Sequence, residues 1–432
     1  MRVLIAGAGI AGLTAAACLH RVGIEAVVVD SVAELRPLGV GINLLPHAVR
    51  VLDDLGLGAA LAECAIATSS AVHLDRFGNR IWSEPRGLAA GHDRPQYSVH
   101  RGELQGLLVD LVRSRLGERA VREGMALRSF TEEADGVRCR LLDRAAGIVV
   151  EETADVLIGA DGLHSTVRAQ LHPGEGRPLW NGIRMWRGVT EFRPFLDGRT
   201  MVLAGSNRAA KFVMYPISEA ARRRGSALVN WVAEVRVHDT AVQSPDWNRA
   251  GRLDDVLPHY AGWRLAGVDI AELLRGAPEV LEYPMVDREP LPHWGTERVT
   301  LMGDAAHPMY PIGSNGGSQA ILDAHAVATE LASAPDPIIG LARYEAVRRE
   351  AVNAIVLANR DMPMDRILHA VAERAPTGFE RIDDVLTAAE LAGLADAYRR
   401  TSSATSPVGG DASAGADRAP GRPGGTVRTA EA

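Results

Sequence analysis

The sequence predicts an α/β fold: a Rossmann-type nucleotide-binding domain, interrupted by a mainly antiparallel β-sheet domain and followed by C-terminal helices. Three observations predict it. An apolar strand at residues 3–6 runs through Gly7-Ala8-Gly9-Ile10-Ala11-Gly12 into a helical stretch and then a β-branched run at 25–29, the opening of a βαβ unit. Between about 181 and 283 the chain turns to aromatic and β-branched segments, such as 211–215 and 227–235, separated by Arg/Gly turns; that is the texture of antiparallel strands. At 299–302 a buried parallel-strand pattern returns, and 318–331 and 341–360 carry helical periodicity.

The remaining segments fit the same frame. Residues 47–57 and 101–116 read as amphipathic helices, 128–150 as short strands around acidic turns, and 156–158 as a buried strand ending in Gly159-Ala160-Asp161-Gly162. The expected organisation is a discontinuous first domain over 1–72, 97–180 and 285–365, an inserted sheet domain over 73–96 and 181–284, and C-terminal helices over 366–401. Residues 402–432 are mostly Ser, Gly, Ala and Pro with few apolar side chains, and read as a disordered tail.

Composition excludes several function classes. With 432 residues, 47% of them hydrophobic, the chain can bury a core of two domains. A net charge of -7 offers no basic surface to nucleic acid or an anionic membrane. No stretch approaches the ~18 unbroken apolar residues of a membrane span, and Gly7, Gly9 and Gly12 interrupt the one N-terminal run that resembles a signal peptide. Cys18, Cys64 and Cys139 are widely separated and show neither CxxC nor metal-ligand spacing. They read as buried thiols of a reducing compartment, so the expected location is the cytoplasm. No histidine pair has HxxxH spacing, and no metal is expected.

The glycine run carries the first chemistry. Gly7 makes the tight turn, Gly9 lets a pyrophosphate approach the backbone, and Gly12 lets the helix pack on the strand. The N–H groups of Ile10, Ala11 and Gly12 open the helix at its positive end, where phosphates bind. Asp30 ends the second strand, placed to accept hydrogen bonds from ribose hydroxyls and to disfavour a 2′-phosphate. This much fits FAD or NAD equally.

Two later motifs decide between them. The segment Ile158-Gly159-Ala160-Asp161-Gly162-Leu163-His164-Ser165-Thr166-Val167-Arg168 resembles the "DG" motif of the para-hydroxybenzoate hydroxylase class of flavoprotein monooxygenases. Leu301-Met302-Gly303-Asp304-Ala305-Ala306-His307-Pro308 resembles the "GD" motif of the same class, and is followed by Pro311-Ile312-Gly313-Ser314-Asn315-Gly316-Gly317 and a helix containing Asp323. Order and spacing match that class across nearly the whole chain before the tail. The resemblance implies a glutathione-reductase-like FAD-binding domain, with Asp161 and Asp304 at the cofactor and Asp304 on the ribityl hydroxyls. It implies that Arg101 and Gln105, one helical turn apart, reach the flavin side, and that the turn Leu38-Gly39-Val40-Gly41-Ile42 lies along the isoalloxazine. The family's Pro-Asn-Ala is here Pro46-His47-Ala48. The glycine-rich turn brings backbone of Pro311, Gly313, Asn315 and Gly316 beside the ring system, where helix-opening N–H groups can stabilise charge on the N1/C2 carbonyl side of a reduced flavin.

Only one dinucleotide fingerprint occurs, so NAD(P)H is expected as a transient co-substrate. The resemblance implies that O2 is then used, through a flavin C4a-hydroperoxide, to hydroxylate a small aromatic substrate. No catalytic side chain is assigned; His164 and His307, inside the motifs, read as structural. The segments 39–58, 82–87, 96–105 and 180–189 look like the phenazine-carboxylate monooxygenase branch, which points to a phenazine-like or other secondary-metabolite substrate. Its expected contacts are Trp186, Phe212, Met214, Tyr215 and Trp231, each equally readable as sheet core. The same flavin chemistry also serves an epoxidase acting on an alkene or quinone, and an NAD(P)H oxidase-reductase that inserts no oxygen. A halogenase is disfavoured, because Met185-Trp186-Arg187 lacks the WxWxIP pattern and Lys211 is the only lysine.

Overall fold

The computed structural model describes residues 1–36, 39–237, 249–362 and 365–394. The expected tail at 402–432, the end of the expected C-terminal helices, and Leu38 of the glycine turn lie outside the described residues.

The apolar run of the first strand, Arg2–Ala6, sits at the centre of a five-stranded parallel sheet. Its neighbours are Val156–Gly159 and Glu25–Val29, with Val299–Leu301 and Val121–Arg122 outermost. Leu4 pairs with Leu157 on one side and Val27 on the other. Such strands are covered on both faces, so they read as continuous apolar stretches rather than alternating ones. The helices Ile10–Arg21, Arg101–Leu116 and Asn315–Ser333 pack together in the same core, and an antiparallel meander of Met125–Glu133, Gly136–Asp143 and Ile148–Ala154 joins it. Tyr344, on helix Pro337–Arg360, donates its hydroxyl to Leu301 O at 3.1 Å and ties that helix to the sheet.

The second sheet has seven strands in the order Val280–Asp287, Leu179–Phe192, Ala227–Arg236, Ala210–Pro216, Thr200–Gly205, Ser70–Leu74 and Arg80–Pro85. All its pairings are antiparallel except Thr200–Gly205 with Ser70–Leu74. Because side chains alternate along a strand, its two faces meet different partners. Trp186, Val202, Phe212, Met214, Val229 and Trp231 form a core with Val256, Tyr260 and Leu273, from the short helices outside the sheet. Met185, Val232, Tyr283 and Met285 point the other way and pack against Tyr310 and Ile312 of the first domain. That second face is where the two domains meet.

Candidate active site

The glycine loop is shaped by close backbone approaches. Gly7 has φ +109°, and a Cβ there would stand 2.3 Å from Ala160 O. A Cβ on Gly12 would stand 2.0 Å from Gly7 O. Both positions accept only glycine. Gly9 differs, since a Cβ there would meet no atom within 4 Å. The space in front of it borders a helix with no side-chain cap and no acid in its first turn, which leaves the opening N–H groups available to an anion. The loop itself is clamped at Ala8. Its N–H donates to Asp30 Oδ2 at 2.7 Å, and its carbonyl accepts from Gln105 Nε2 at 2.7 Å. Asp30 Oδ1 accepts from Val32 N–H at 2.9 Å. Gln105 therefore reaches the loop that would hold the cofactor. Arg101, four residues earlier, is exposed beside Gly39.

The DG and GD motifs lock onto each other. Asp161 caps helix Thr166–Leu171, accepting from the Ser165 hydroxyl, from Thr166 N–H at 2.7 Å and from Val167 N–H at 3.3 Å. Burial pushes its pKa up, against the lowering effect of these bonds. Both of its oxygens are thus engaged by the protein. Arg168, on that helix and buried, donates Nη1 to the carbonyls of Ala305 and Ala306 at 2.9 and 2.7 Å and pairs with Glu175.

Beneath the GD turn lies a cluster that spacing alone did not reveal. Asp323, fully buried, accepts from Gly303 N–H at 3.0 Å and Arg348 Nε at 2.8 Å, and pairs with His307 Nε2 at 2.5 Å. Burial alone would raise this carboxyl, but His307, Arg348 and the Gly303 N–H outweigh it and hold its pKa at about 2. Held from below, the Gly303 turn presents the Asp304 side chain outward; it is exposed and has no hydrogen-bond partner among the described residues. His164 is also exposed.

The glycine-rich turn completes the site. Ser314 takes φ +62°, and helix Asn315–Ser333 starts without a side-chain cap or an acid in its first turn. Asn315 is only 4% exposed, yet its Oδ1 has no partner among the described residues. An orphaned buried acceptor at an uncapped helix start, an unpaired Asp304 and the open space over Gly9 together fit an elongated dinucleotide with donors and acceptors at both ends. The start of this helix presses on the strand Gly41–Leu44, where a Cβ on Gly317 would stand 2.6 Å from Ile42 Cδ1.

Gly41 sits at the domain seam. Its N–H donates to Asn230 Oδ1 at 2.7 Å, and its carbonyl accepts from Arg187 Nη2 at 2.7 Å and the Tyr215 hydroxyl at 3.1 Å. A Cβ there would stand 2.7 Å from Asn230 Cβ. Of the five expected substrate contacts, only Tyr215 lies on this face. Trp186, Phe212, Met214 and Trp231 are on the other, within the outer core. Their polar atoms are satisfied there, Trp186 Nε1 by Glu282 and Trp231 Nε1 by Thr190. Strand parity places Arg187, Val213, Asn230, Val232 and Tyr283 on the seam face instead; the alternation was present in the sequence, but the face that meets the first domain was not. Lys211 shares the seam face, buried and paired with Asp365 at 2.8 Å and Glu234 at 3.6 Å.

Comparison with known proteins agrees with this geometry. The family described as "FAD binding domain" matches residues 1–358. The chain belongs to this FAD-binding family. It is 49% identical over 400 residues, 92% of its length, to the phenazine 1,6-dicarboxylic acid hydroxylase PhzS of Lysobacter antibioticus, of which it covers 96%. It is 31% identical to the 3-amino-4-hydroxybenzoate 2-monooxygenase PtmB3 of Streptomyces platensis, over 89% of this chain and 94% of that one. The structure of Klebsiella pneumoniae HpxO complexed with FAD and uric acid superposes with a TM-score of 0.73 at 23% identity, covering 92% of this chain and 96% of that one, and shows the shared fold. The protein is an FAD-dependent aromatic monooxygenase of the para-hydroxybenzoate hydroxylase and PhzS-like class, using NAD(P)H and O2. Among the described residues, no helix of this monooxygenase is long and apolar enough to cross a membrane.

Proposed function

We propose that this monooxygenase hydroxylates a carboxylated, phenazine-like aromatic substrate held between the seam face of the seven-stranded sheet and the 311–317 turn. The observation that carries this reading is the meeting of that face with the first domain at Gly41, Tyr310 and Ile312, combined with 49% identity to a phenazine dicarboxylic acid hydroxylase. Gly7, Gly9, Ile10, Ala11 and Gly12 hold the FAD pyrophosphate and Asp304 the ribityl chain. Arg101 lies over the pyrophosphate or ribityl region, with Asp30 at the ribose. Gly41 and the backbone of Pro311, Gly313, Asn315 and Gly316 flank the ring system. Gln105 and Asp161 act one step back, as supports of the glycine loop and of the DG helix. The substrate part is proposed to comprise essentially 73–96 and 181–284, extended by the ends of the strands Ser70–Leu74, Leu179–Phe192 and Val280–Asp287. FAD, when bound, accepts hydride from NAD(P)H and activates O2 for insertion into the ring. The protein's own part is to orient the arene, exclude water, and place N–H groups where charge accumulates. The three unpaired cysteines support a cytoplasmic location.

The test is NAD(P)H consumption by FAD-saturated protein with phenazine-1,6-dicarboxylate and phenazine-1-carboxylate under labelled O2. Stimulated oxidation with one labelled atom in a ring-hydroxylated product is expected. Label in an epoxide would make it an epoxidase. Oxidation that yields peroxide and no labelled product with any arene tried would leave only a reductase.

A further inference from the structure

Arg168 and Arg348 are buried and paired with acids, Arg168 with Glu175 and Arg348 with Asp323, and the half-buried Arg86 is paired with Glu84. Arg187, half-buried on the seam face, differs. No carboxylate lies within ion-pair distance of it among the described residues. Its Nη2 donates to Gly41 O, and its other acceptors are the hydroxyl oxygens of Tyr215 and Tyr283. Its Nε is shielded from solvent and has no hydrogen-bond partner. One strand away, on the same face, Asn230 Nδ2 is likewise buried without an acceptor. The guanidinium keeps its charge throughout the ordinary pH range, and the two tyrosine oxygens accept hydrogen bonds from it. Burial pushes the Tyr215 hydroxyl up, so that group remains a neutral donor. A permanently charged fork with spare N–H capacity, flanked by an unused amide, is completed by a planar anion.

Building on the function proposed above, we infer that Arg187, assisted by Asn230, Tyr215 and Tyr283, binds a carboxylate of the aromatic substrate. The same guanidinium holds the Gly41 carbonyl, so the substrate acid and the segment beside the flavin are gripped by one group. Arg187 is thus a specificity-determining residue, selecting acids over neutral arenes of the same shape.

The experiment compares phenazine-1-carboxylate with its uncharged primary amide, each titrated into FAD-saturated wild type, Arg187→Met and Arg187→Lys. Flavin absorbance change gives Kd, and NAD(P)H oxidation with product mass gives kcat/KM. Because the acid-to-amide ratio is formed within each variant, a general loss of FAD affinity or stability cancels. Wild type is expected to favour the acid by roughly 10–100-fold, the scale of a charge-assisted hydrogen bond in a desolvated site. In Arg187→Met that preference falls to about one, and Arg187→Lys lies between. A preference that survives in Arg187→Met, or a wild type that binds acid and amide equally, overturns the assignment. Failure of the underlying function looks different: neither compound perturbs the flavin or stimulates NAD(P)H oxidation in wild type, and both proposals fall together.

Discussion

Arg348 and Arg187 belong to two regions built from the same residue types toward opposite ends. Under the GD turn, Arg348 is 4% exposed, donates to Asp323 at 2.8 Å and to Gln319 Oε1 at 2.6 Å, and shares that carboxylate with His307 and Gly303 N–H. Charge is balanced there within the protein. At the seam, Arg187 reaches a backbone carbonyl and two tyrosine hydroxyls, and keeps one N–H unused. A buried charge left without its counter-charge is costly. The first region therefore reads as a fixed floor, and the second as a surface completed by a ligand.

The comparison breaks most severely at Asp323. Asp323→Asn should cost about 3–5 kcal/mol by leaving Arg348 without its carboxylate, seen as a fall in urea midpoint and loss of bound flavin colour. A midpoint within experimental scatter of wild type would deny the floor its role. The pH dependence has a definite sign. With the folded pKa at about 2 against an ordinary 3.8, this carboxylate stabilises the fold fully above pH ~4. That contribution, about 2 kcal/mol, is lost as pH falls toward 2, so the variant's acid limb should be correspondingly shallower.

The glycine loop gives the next effect. Gly7→Ala, with φ +109° and an approach of 2.3 Å to Ala160 O, should lower stability by about 2–4 kcal/mol. Gly9→Ala meets no atom within 4 Å and should leave apoprotein stability within about 1 kcal/mol, while weakening FAD binding tenfold or more. Equal effects on Tm would remove the distinction between a packing glycine and a ligand glycine.

Asp304 tests whether the floor serves a ligand. Asp304→Ala loses no hydrogen bond to any of the described residues, so Tm of the apoprotein should hold while FAD affinity falls roughly 10–100-fold. Retained affinity would take the carboxylate out of the site. The smallest expected effect divides the two sheet faces. Tyr283→Phe should raise KM for an aromatic acid by several-fold, about 1 kcal/mol, with little change in Tm. Trp231→Phe should lower stability by about 1–3 kcal/mol and leave KM alone. A reversal of that pattern would return Trp231 to the substrate.

How much of this was legible in the chain depends on the range of the interaction. The glycine run, the DG and GD motifs and the parallel-strand patterns are local, because turn geometry and continuous burial must be written into consecutive residues; fold class could be read from them, and cofactor and reaction class from the family resemblance that the motifs carry. Helix Arg101–Leu116 was read to the residue for the same reason. The aromatic and β-branched texture of 211–215 and 227–235 pointed to strands, but not to which face of each meets the first domain. That depends on how the seven-stranded sheet packs on Tyr310 and Ile312, a contact between residues far apart in the chain. Four of the five expected substrate contacts went to the outer core for that reason. The partners of Asp323 lie 16 to 25 positions away, and Gly41 meets Arg187 across 146 residues. The sequence by itself determined the nucleotide loop and the class of chemistry. Only the tertiary structure decided which arginine is balanced and which is left to a ligand, because charge balance is settled by neighbours in space.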